Sequence, residues 1–352
     1  MTTLAPAQPP IAASMVSFPP GRSVPFIDPV SGVGLANRDN HLVNPATGAT
    51  VAEVIHGLSR FVARGGDYAA HFGWQWKKWR RSMSDAANND AHKRNLILGR
   101  TKFARYPIQG KTLLECGCGA GNDTEILVSL GLAEVHSFDL SNAVEEAVPL
   151  VDQARRQGTR LVLSQASILS IPYPDRSFDI VYCHRVLQHT PDPEVSLRAL
   201  CAKVKPGGIL FVHCYQDTPW LRGHWRNKLR WFCKRMPPKL LAVVIDTYAP
   251  LLQRLNRFLW TRPLDTRRNR MLRELGFRFV PFAWTGTQFS HLGANKELEI
   301  NKCVTFDFLT AWHDHPMTAA RMRAILTAEG FAIDHFAAGK EEPLWATARR
   351  KA

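Results

Sequence analysis

Three shortages shape the reading of this 352-residue sequence before any motif does. No stretch approaches the roughly 18 consecutive apolar residues of a membrane-crossing helix, although 45% of the residues are hydrophobic. Its seven cysteines follow no paired spacing, and Cys116 and Cys118 fall inside a glycine turn. An odd, unpatterned set excludes a disulfide scaffold and points to reduced thiols in a cytoplasmic setting. Acidic residues are the third shortage: 30 Asp and Glu stand against 45 Lys and Arg, a formal charge of +15. Such a balance says little about fold and much about partners, so the location of the charge matters more than its size. The first residues also lack the charged start and apolar core of a secretory signal. The length suffices to bury a sizeable core in one large or two modest domains.

What is present is organised around Thr112-Leu113-Leu114-Glu115-Cys116-Gly117-Cys118-Gly119-Ala120-Gly121. A short apolar run ends in an acid, breaks into three alternate glycines and continues as a helix-compatible segment. Strand, glycine turn and helix form the first unit of a nucleotide-binding α/β sheet. About twenty residues on, Val135-His136-Ser137-Phe138 ends at Asp139, where such folds place a carboxylate for a ribose. The glycine spacing differs from the G-x-G-x-x-G of pyrophosphate sites. An acid at the strand end suits a cationic ligand without phosphates, such as S-adenosylmethionine, which carries an amine and a sulfonium.

The block resembles the first motif of class I S-adenosylmethionine-dependent methyltransferases. Phe138-Asp139-Leu140-Ser141, Ile171-Pro172-Tyr173-Pro174-Asp175-Arg176-Ser177-Phe178-Asp179, Val186-Leu187-Gln188-His189-Thr190-Pro191-Asp192-Pro193 and Val204-Lys205-Pro206-Gly207-Gly208 are similar to the blocks that follow it in that family. The resemblance implies an α/β, Rossmann-like seven-stranded sheet, mostly parallel with an antiparallel last strand. It implies S-adenosylmethionine as cofactor, bound by Glu115, Gly117, Cys118, Gly119, Gly121, Asp139, Leu140, Ala166, Ser167 and His184. Many relatives carry Asp at the position of Ser167, to accept the adenine amino group; a serine hydroxyl can accept that bond without charge. His189 falls where several O-methyltransferases keep a catalytic histidine, and His184 and His213 are secondary candidates. His313-Asp314-His315 has a metal-compatible spacing but no third ligand nearby, and no metal is expected.

Strands are expected near 112–116, 134–139, 160–164, 178–183 and 208–214, with helices near 121–131, 141–157 and 192–204. Ligands then lie beyond the carboxyl ends of the strands. Residues 1–24 read as a disordered tail rich in Ala, Pro and Ser. Residues 25–62 resemble a small zinc ribbon of the tRNA-methyltransferase-activator type. The four ligand positions here are Asp28, Ser31, Asn44 and Thr47, poor replacements for thiolates, so the ribbon is read as metal-free. Residues 63–105 are lead-in helices. Within them Tyr68, Phe72, Gly73, Gln75 and Trp76 resemble a segment that covers the cofactor pocket in related bacterial enzymes. Trp76 and Trp79 read as core packing, Tyr68 and Gln75 as polar groups available to a ligand.

The catalytic domain is assigned to 106–216 and 301–352, with Thr305–Asp314 as the returning segment, a helix over 318–330 and last strands at 331–336 and 343–348. Between them, 217–300 is a basic insertion or lid. From Asp217 to Val280 fifteen basic residues face four acids, a net of +11, with Trp220, Trp225, Trp231 and Trp260 interleaved. That composition fits an anionic lipid surface or a phosphorylated substrate, and a peripheral membrane position. It also admits a lid over the pocket. A small-molecule, natural-product or envelope intermediate with a hydroxyl is the expected acceptor. The alternatives are methylation of nucleic acid (not favoured) or protein, and a cofactor-binding scaffold without catalysis.

Overall fold

The computed structural model describes residues 23–62, 68–339 and 343–352. The expected tail over 1–24 lies outside the described residues except for its last two. Four short strands come first: β1 (Ala36–Arg38), β2 (His41–Val43), β3 (Thr50–Ile55) and β4 (Leu58–Arg60). Helices α1 (Ala70–Met83), α2 (Asp85–Asn88) and α3 (His92–Thr101) follow. Strand β5 (Thr112–Cys116) then opens an alternating series with α4 (Thr124–Leu127), β6 (Glu134–Asp139), α5 (Leu150–Arg156), β7 (Arg160–Gln165), β8 (Phe178–Cys183), α6 (Pro193–Lys203) and β9 (Val204–Cys214). A helical stretch comprises α7 (Pro219–Arg222), α8 (Trp225–Cys233), α9 (Pro238–Trp260), α10 (Arg267–Phe279) and α11 (Ala294–Thr310). Helix α12 (Ala319–Ala328) and strands β10 (Phe331–Ala337) and β11 (Leu344–Arg350) close the chain.

The sheet has eleven strands in the order β1-β2-β3-β4-β7-β6-β5-β8-β9-β11-β10, not the seven expected. Strands β7, β6, β5, β8 and β9 run parallel, and β11 enters antiparallel to β9. The extra four are the ribbon, which adds to the sheet: β4 pairs in parallel with β7 through Ser59–Ser164 and Arg60–Gln165. An open sheet edge carries unpaired N–H and C=O groups, and the ribbon satisfies those at the carboxyl end of β7. Arg60 strengthens the joint by donating to Gln165 at 2.6 Å and to Glu145 at 2.7 Å. Inside the ribbon three of the four degenerate ligand positions bond to one another. Ser31 Oγ donates to Asp28 at 2.7 Å, and Asn44 Nδ2 donates to Asp28 at 2.9 Å and to Ser31 at 3.1 Å. Thr47 Oγ1 instead accepts from the Ala49 N–H at 3.3 Å.

Alternation along β5 sends Leu113 into one apolar layer, with Val135, Ile180 and Phe211, and Leu114 into the other, with Val181, Leu210 and Val212. Both faces are covered, which is why the strands read as continuous apolar runs. Two expected helices are broken. The 121–131 segment is a single turn, α4, followed by 3-10 helix over Val128–Leu130. The 141–157 segment is 3-10 helix over Asn142–Ala147 and then α5, with Pro149 between them unable to donate a helical N–H.

The insertion is also longer than expected. Residues 305–310 belong to α11, so the chain returns to the sheet only through α12 and β10. Helices α8, α9 and α11 share an apolar core with α1, built from Trp79, Trp225, Leu241, Ile245, Phe282 and Phe306. This layer sits against the carboxyl ends of the parallel strands and walls the site.

Candidate active site

A cavity of about 420 Å³ opens at those strand ends. Its floor is Gly117, Cys118, Gly119, Phe138, Asp139, Leu140 and Ala166; His184, His189 and His213 line it from the other strand ends, and Tyr68, Phe72, Gln75 and Trp76 of the lead-in segment from above. Most residues expected on sequence grounds therefore meet in one place. The turn follows from its glycines: Gly117 and Gly119 have φ of +83° and +55°, a region that side chains rarely adopt. A Cβ on Gly117 would stand 2.2 Å from Val186, and one on Gly119 3.1 Å from the Trp76 indole nitrogen.

Asp139 anchors that turn. One carboxylate oxygen accepts from the Gly119 N–H at 2.8 Å; the other accepts from the Ser141 N–H at 2.8 Å and its hydroxyl at 2.7 Å. A carboxylate offers about four acceptor sites, so one remains, on the oxygen facing Gly119. Burial pushes the carboxyl above its ordinary range, and the Ser141 and Gly119 bonds oppose the shift.

Three expected residues do not line the cavity. Gly121 packs under the turn, where a Cβ would meet Leu150 at 2.7 Å and Ala147 at 2.8 Å. Ser167 turns its hydroxyl to its own loop and accepts from the Leu169 N–H at 3.2 Å. Glu115 is buried beneath the turn, accepting from Thr124 Oγ1 and Ser137 Oγ, both at 2.6 Å. A strand-end residue alternates between faces, and Glu115 points into the packed layer instead of the crevice.

Burial first, then the charge of Asp123, pushes the Glu115 carboxyl up to about 7. A raised pKa means that the fold holds a proton the unfolded chain has released. The contribution is complete below about pH 4.5 and is lost as pH rises through about 7, a swing on the order of 3 kcal/mol. Glu115→Gln, which cannot ionise, should unfold in urea like the parent at pH 5 and be the more stable of the two at pH 8. Parallel stability–pH curves would refute this.

Four further groups at the site carried no signal in the motif reading. Asp123 accepts from Tyr182 Oη at 2.8 Å and His184 Nδ1 at 2.7 Å and pairs with Lys93 at 2.9 Å. Burial works to raise it, but Lys93 and His184 outweigh burial and hold it well below the carboxylate range. His184 Nε2 lies 3.1 Å from the Arg100 guanidinium, an obligate donor, so the imidazole is neutral with both nitrogens engaged. Burial, against the pull of Asp123, lowers it to about 4. His184 thus orients Asp123 and Arg100 and has no lone pair left for a proton. The fourth group is Asp307 of α11, which lines the same cavity; burial raises its carboxyl and His189 opposes that shift.

His189 differs from His184. Its Nδ1 lies 3.1 Å from the His313 carbonyl oxygen, which can only accept, so Nδ1 carries the proton and Nε2 the lone pair in the neutral ring. Phe72 and Tyr215 hold the ring at centroid distances of 4.9 and 5.7 Å. His213 is buried with its Nδ1 unpaired and is held well below the ordinary histidine range, chiefly by burial. Asp314 is taken by Arg226 at 3.2 Å and Arg230 at 2.6 Å. Among the described residues no three His, Cys, Asp or Glu are placed to hold a metal.

Trp76 corrects the packing assignment: its ring stands over Gly119 and lines the cavity, whereas Trp79 is core and donates to Glu299 at 3.2 Å. Gln75 lines the cavity too, with its Nε2 on the Cys303 carbonyl at 3.4 Å and its Oε1 buried without a partner.

Residues 114–212 match the methyltransferase domain family model. That span runs from β5 to β9 and contains the glycine turn, Asp139 and His189. The chain carries a class I S-adenosylmethionine-dependent methyltransferase domain. Curated relatives of the domain include a "Ubiquinone biosynthesis O-methyltransferase" from Xanthomonas campestris pv. campestris, 33% identical over 116 residues, 33% of this chain and 48% of the relative. A protein of the same name from Thiobacillus denitrificans is 35% identical over 121 residues, 34% of this chain and 51% of the relative. The methyltransferase domain here thus spans about half the length of the relatives it matches. Among solved structures, the magnesium protoporphyrin IX methyltransferase from Synechocystis with bound SAH is 15% identical with a TM-score of 0.45, over 81% of this chain and 97% of that one. S-adenosylmethionine is the cofactor of this domain class, and the cavity's floor fits it: a turn without side chains and a carboxylate with one acceptor site to spare. No helix among the described residues is long and apolar enough to cross a membrane.

Proposed function

We propose that this chain transfers a methyl group from S-adenosylmethionine to a hydroxyl of a small, largely apolar molecule, with His189 as general base. The observation that carries this reading is the tautomer of His189: a base with its proton-bearing nitrogen fixed to the His313 carbonyl, in the same cavity as the glycine turn and Asp139. When bound, S-adenosylmethionine supplies an electrophilic methyl on a positively charged sulfur. Gly117, Cys118 and Gly119 would give it a surface free of side chains, and Asp139 would accept from one ribose hydroxyl. Phe138, Leu140, Ala166 and Ile168 would flank the adenine, while Lys93 and Arg100 bring positive charge for the carboxylate end. Ser167 drops out of the adenine assignment, and Glu115 and Gly121 support the turn from behind. Phe72, Tyr215, Trp284, Phe289 and Phe308 make the remaining wall apolar, which favours an aromatic or prenyl-like acceptor over a nucleic acid. The relatives' printed name, an O-methyltransferase, supports oxygen as the acceptor atom.

His189 Nε2 would take the hydroxyl proton as the oxygen attacks, and Asp307 would stabilise the imidazolium that results. Alignment of the two partners and exclusion of water are the rest of the protein's contribution. Incubation with S-adenosylmethionine and small-molecule extract should yield S-adenosylhomocysteine and a product heavier by one CH2. Binding of the cofactor without any such product would favour the non-catalytic scaffold.

Asp139 supplies a second test. Three donors converge on it, so Asp139→Asn must set its NH2 against an N–H whichever way it turns. Loss of a hydrogen bond to a charged group, roughly 1.5–3 kcal/mol, should weaken S-adenosylmethionine binding about tenfold to a hundredfold in calorimetry. An analogue lacking the ribose 2′-hydroxyl should bind more weakly to the parent than to the variant, relative to the natural cofactor. Equal losses on both proteins would show that Asp139 only braces the turn.

A further inference from the structure

The outer face of the helical insertion is unusual for a protein surface exposed to water. Among the described residues, thirteen of the eighteen exposed large hydrophobic side chains fall between Leu229 and Phe279. On α9 they form a stripe at helical spacing: Leu240, Val243, Val244, Leu251, Leu255 and Phe258. The inner face of the same helix holds its amides. Gln253 accepts from Asn301 at 2.8 Å, and Asn256 donates to the Phe282 carbonyl at 2.9 Å. The rest of that inner face is apolar too, with Leu241, Ile245 and Leu259 buried, so α9 is apolar on both faces although one side meets water, where a surface helix normally carries polar residues. Contiguous exposed apolar area of this kind marks a contact surface.

Charge identifies the partner. Positive side chains lie directly beside the exposed rings: Arg235 over Trp231 at 4.5 Å, Lys228 over Phe279 at 4.3 Å and Arg262 over Phe258 at 3.9 Å. Acids do little to neutralise them. Asp246 is drawn away to Lys78 at 3.3 Å and Lys302 at 3.0 Å, and Glu274 is taken by Arg278 at 2.8 Å. Two such faces, each presenting the exposed Lys228, Arg235, Lys239 and Arg254, would repel one another. Aromatic rings interleaved with Lys and Arg around an apolar stripe match the layered chemistry of a bilayer surface, with acyl chains below and anionic headgroups around.

We infer that the outer face of α8, α9 and α10 docks on an anionic phospholipid bilayer, lying in the interface without crossing it. The inference is independent of methyl transfer. It concerns a different surface and would stand if the cavity proved inactive.

The full chain should float with phosphatidylcholine vesicles containing phosphatidylglycerol and stay behind with phosphatidylcholine alone. Raising salt from roughly 0.1 to 0.5 M should release it, because the screening length shortens about twofold. Lys228→Gln, Arg235→Gln and Lys239→Gln together should weaken vesicle affinity on the order of a hundredfold, from about 1 kcal/mol per charge. Leu251→Glu with Phe258→Glu should abolish flotation, and both sets should bind S-adenosylmethionine like the parent. Should the apolar pair unfold the protein, the charge set, wholly on exposed side chains, still decides the matter. Absence of flotation with anionic vesicles, or equal flotation with neutral ones, would overturn the inference. So would a concentration-dependent dimer in sedimentation velocity that the apolar pair abolishes, which would make this face a contact between copies.

Discussion

Replacing His189 by Gln is expected to lower kcat by roughly 10²- to 10⁴-fold, the range associated with a positioned acid–base group, while S-adenosylmethionine affinity stays within a few-fold of the parent. Gln keeps a donor for the His313 carbonyl and much of the ring's volume between Phe72 and Tyr215, so the wall should survive. What it lacks is the lone pair that Nε2 offers. Asp307→Asn should show a smaller loss in kcat, because it removes only the charge that favours the imidazolium. The measurement is single-turnover methyl transfer to the product found in extract, beside calorimetry of the cofactor. An unchanged kcat, or a change confined to KM, would remove His189 from the chemistry and leave it as part of the wall.

Gly119→Val is expected to lower cofactor affinity by well over a hundredfold, more than any change at Asp139. Two effects add. At a φ of +55° a β-branched side chain is strained. Its Cβ would also lie 3.1 Å from Trp76 Nε1, in the space between the turn and the ring that roofs it. Gly110→Ala separates the two, since Gly110 has a φ of +69° with nothing within 4 Å of an added Cβ. That variant should be destabilised by strain alone and keep its affinity. If Gly119→Val bound S-adenosylmethionine normally in calorimetry, the glycine turn would not be the cofactor's floor.

Part of the site was legible because its signals are local. Gly117 and Gly119 belong to a strand–turn–helix unit, and Asp139 ends the strand that follows it; that backbone demands specific residue types at fixed spacing, and the spacing survives in one dimension. The parallel strands were legible for the same reason: burial on both faces writes apolar runs into β5 and β8. The broken helices were not, because periodicity continues through Pro149 although the hydrogen-bond ladder does not.

The residues that complete the cavity come from places that no local pattern connects. Arg100 of α3 meets His184 across 84 positions, and Gln75 of α1 meets Cys303 of α11 across 228. Trp76 read as core because helical spacing of aromatics reports which face is buried, not what covers it; a ring buried against a glycine turn has the same pattern as one buried against a helix. Glu115 was misplaced for a related reason, since a strand-end acid can face the crevice or the packed layer, and only the register of β5 between β6 and β8 decides which. The ribbon's pairing with β7 was beyond reach as well, because an edge strand advertises nothing about its partner. Sequence by itself determined the domain, its cofactor chemistry and the basic character of the insertion. Tertiary structure alone decided which polar groups share the cavity, which apolar face of α9 is left uncovered, and where the ribbon ends up, since each depends on long-range contacts that must close before the burial they create exists.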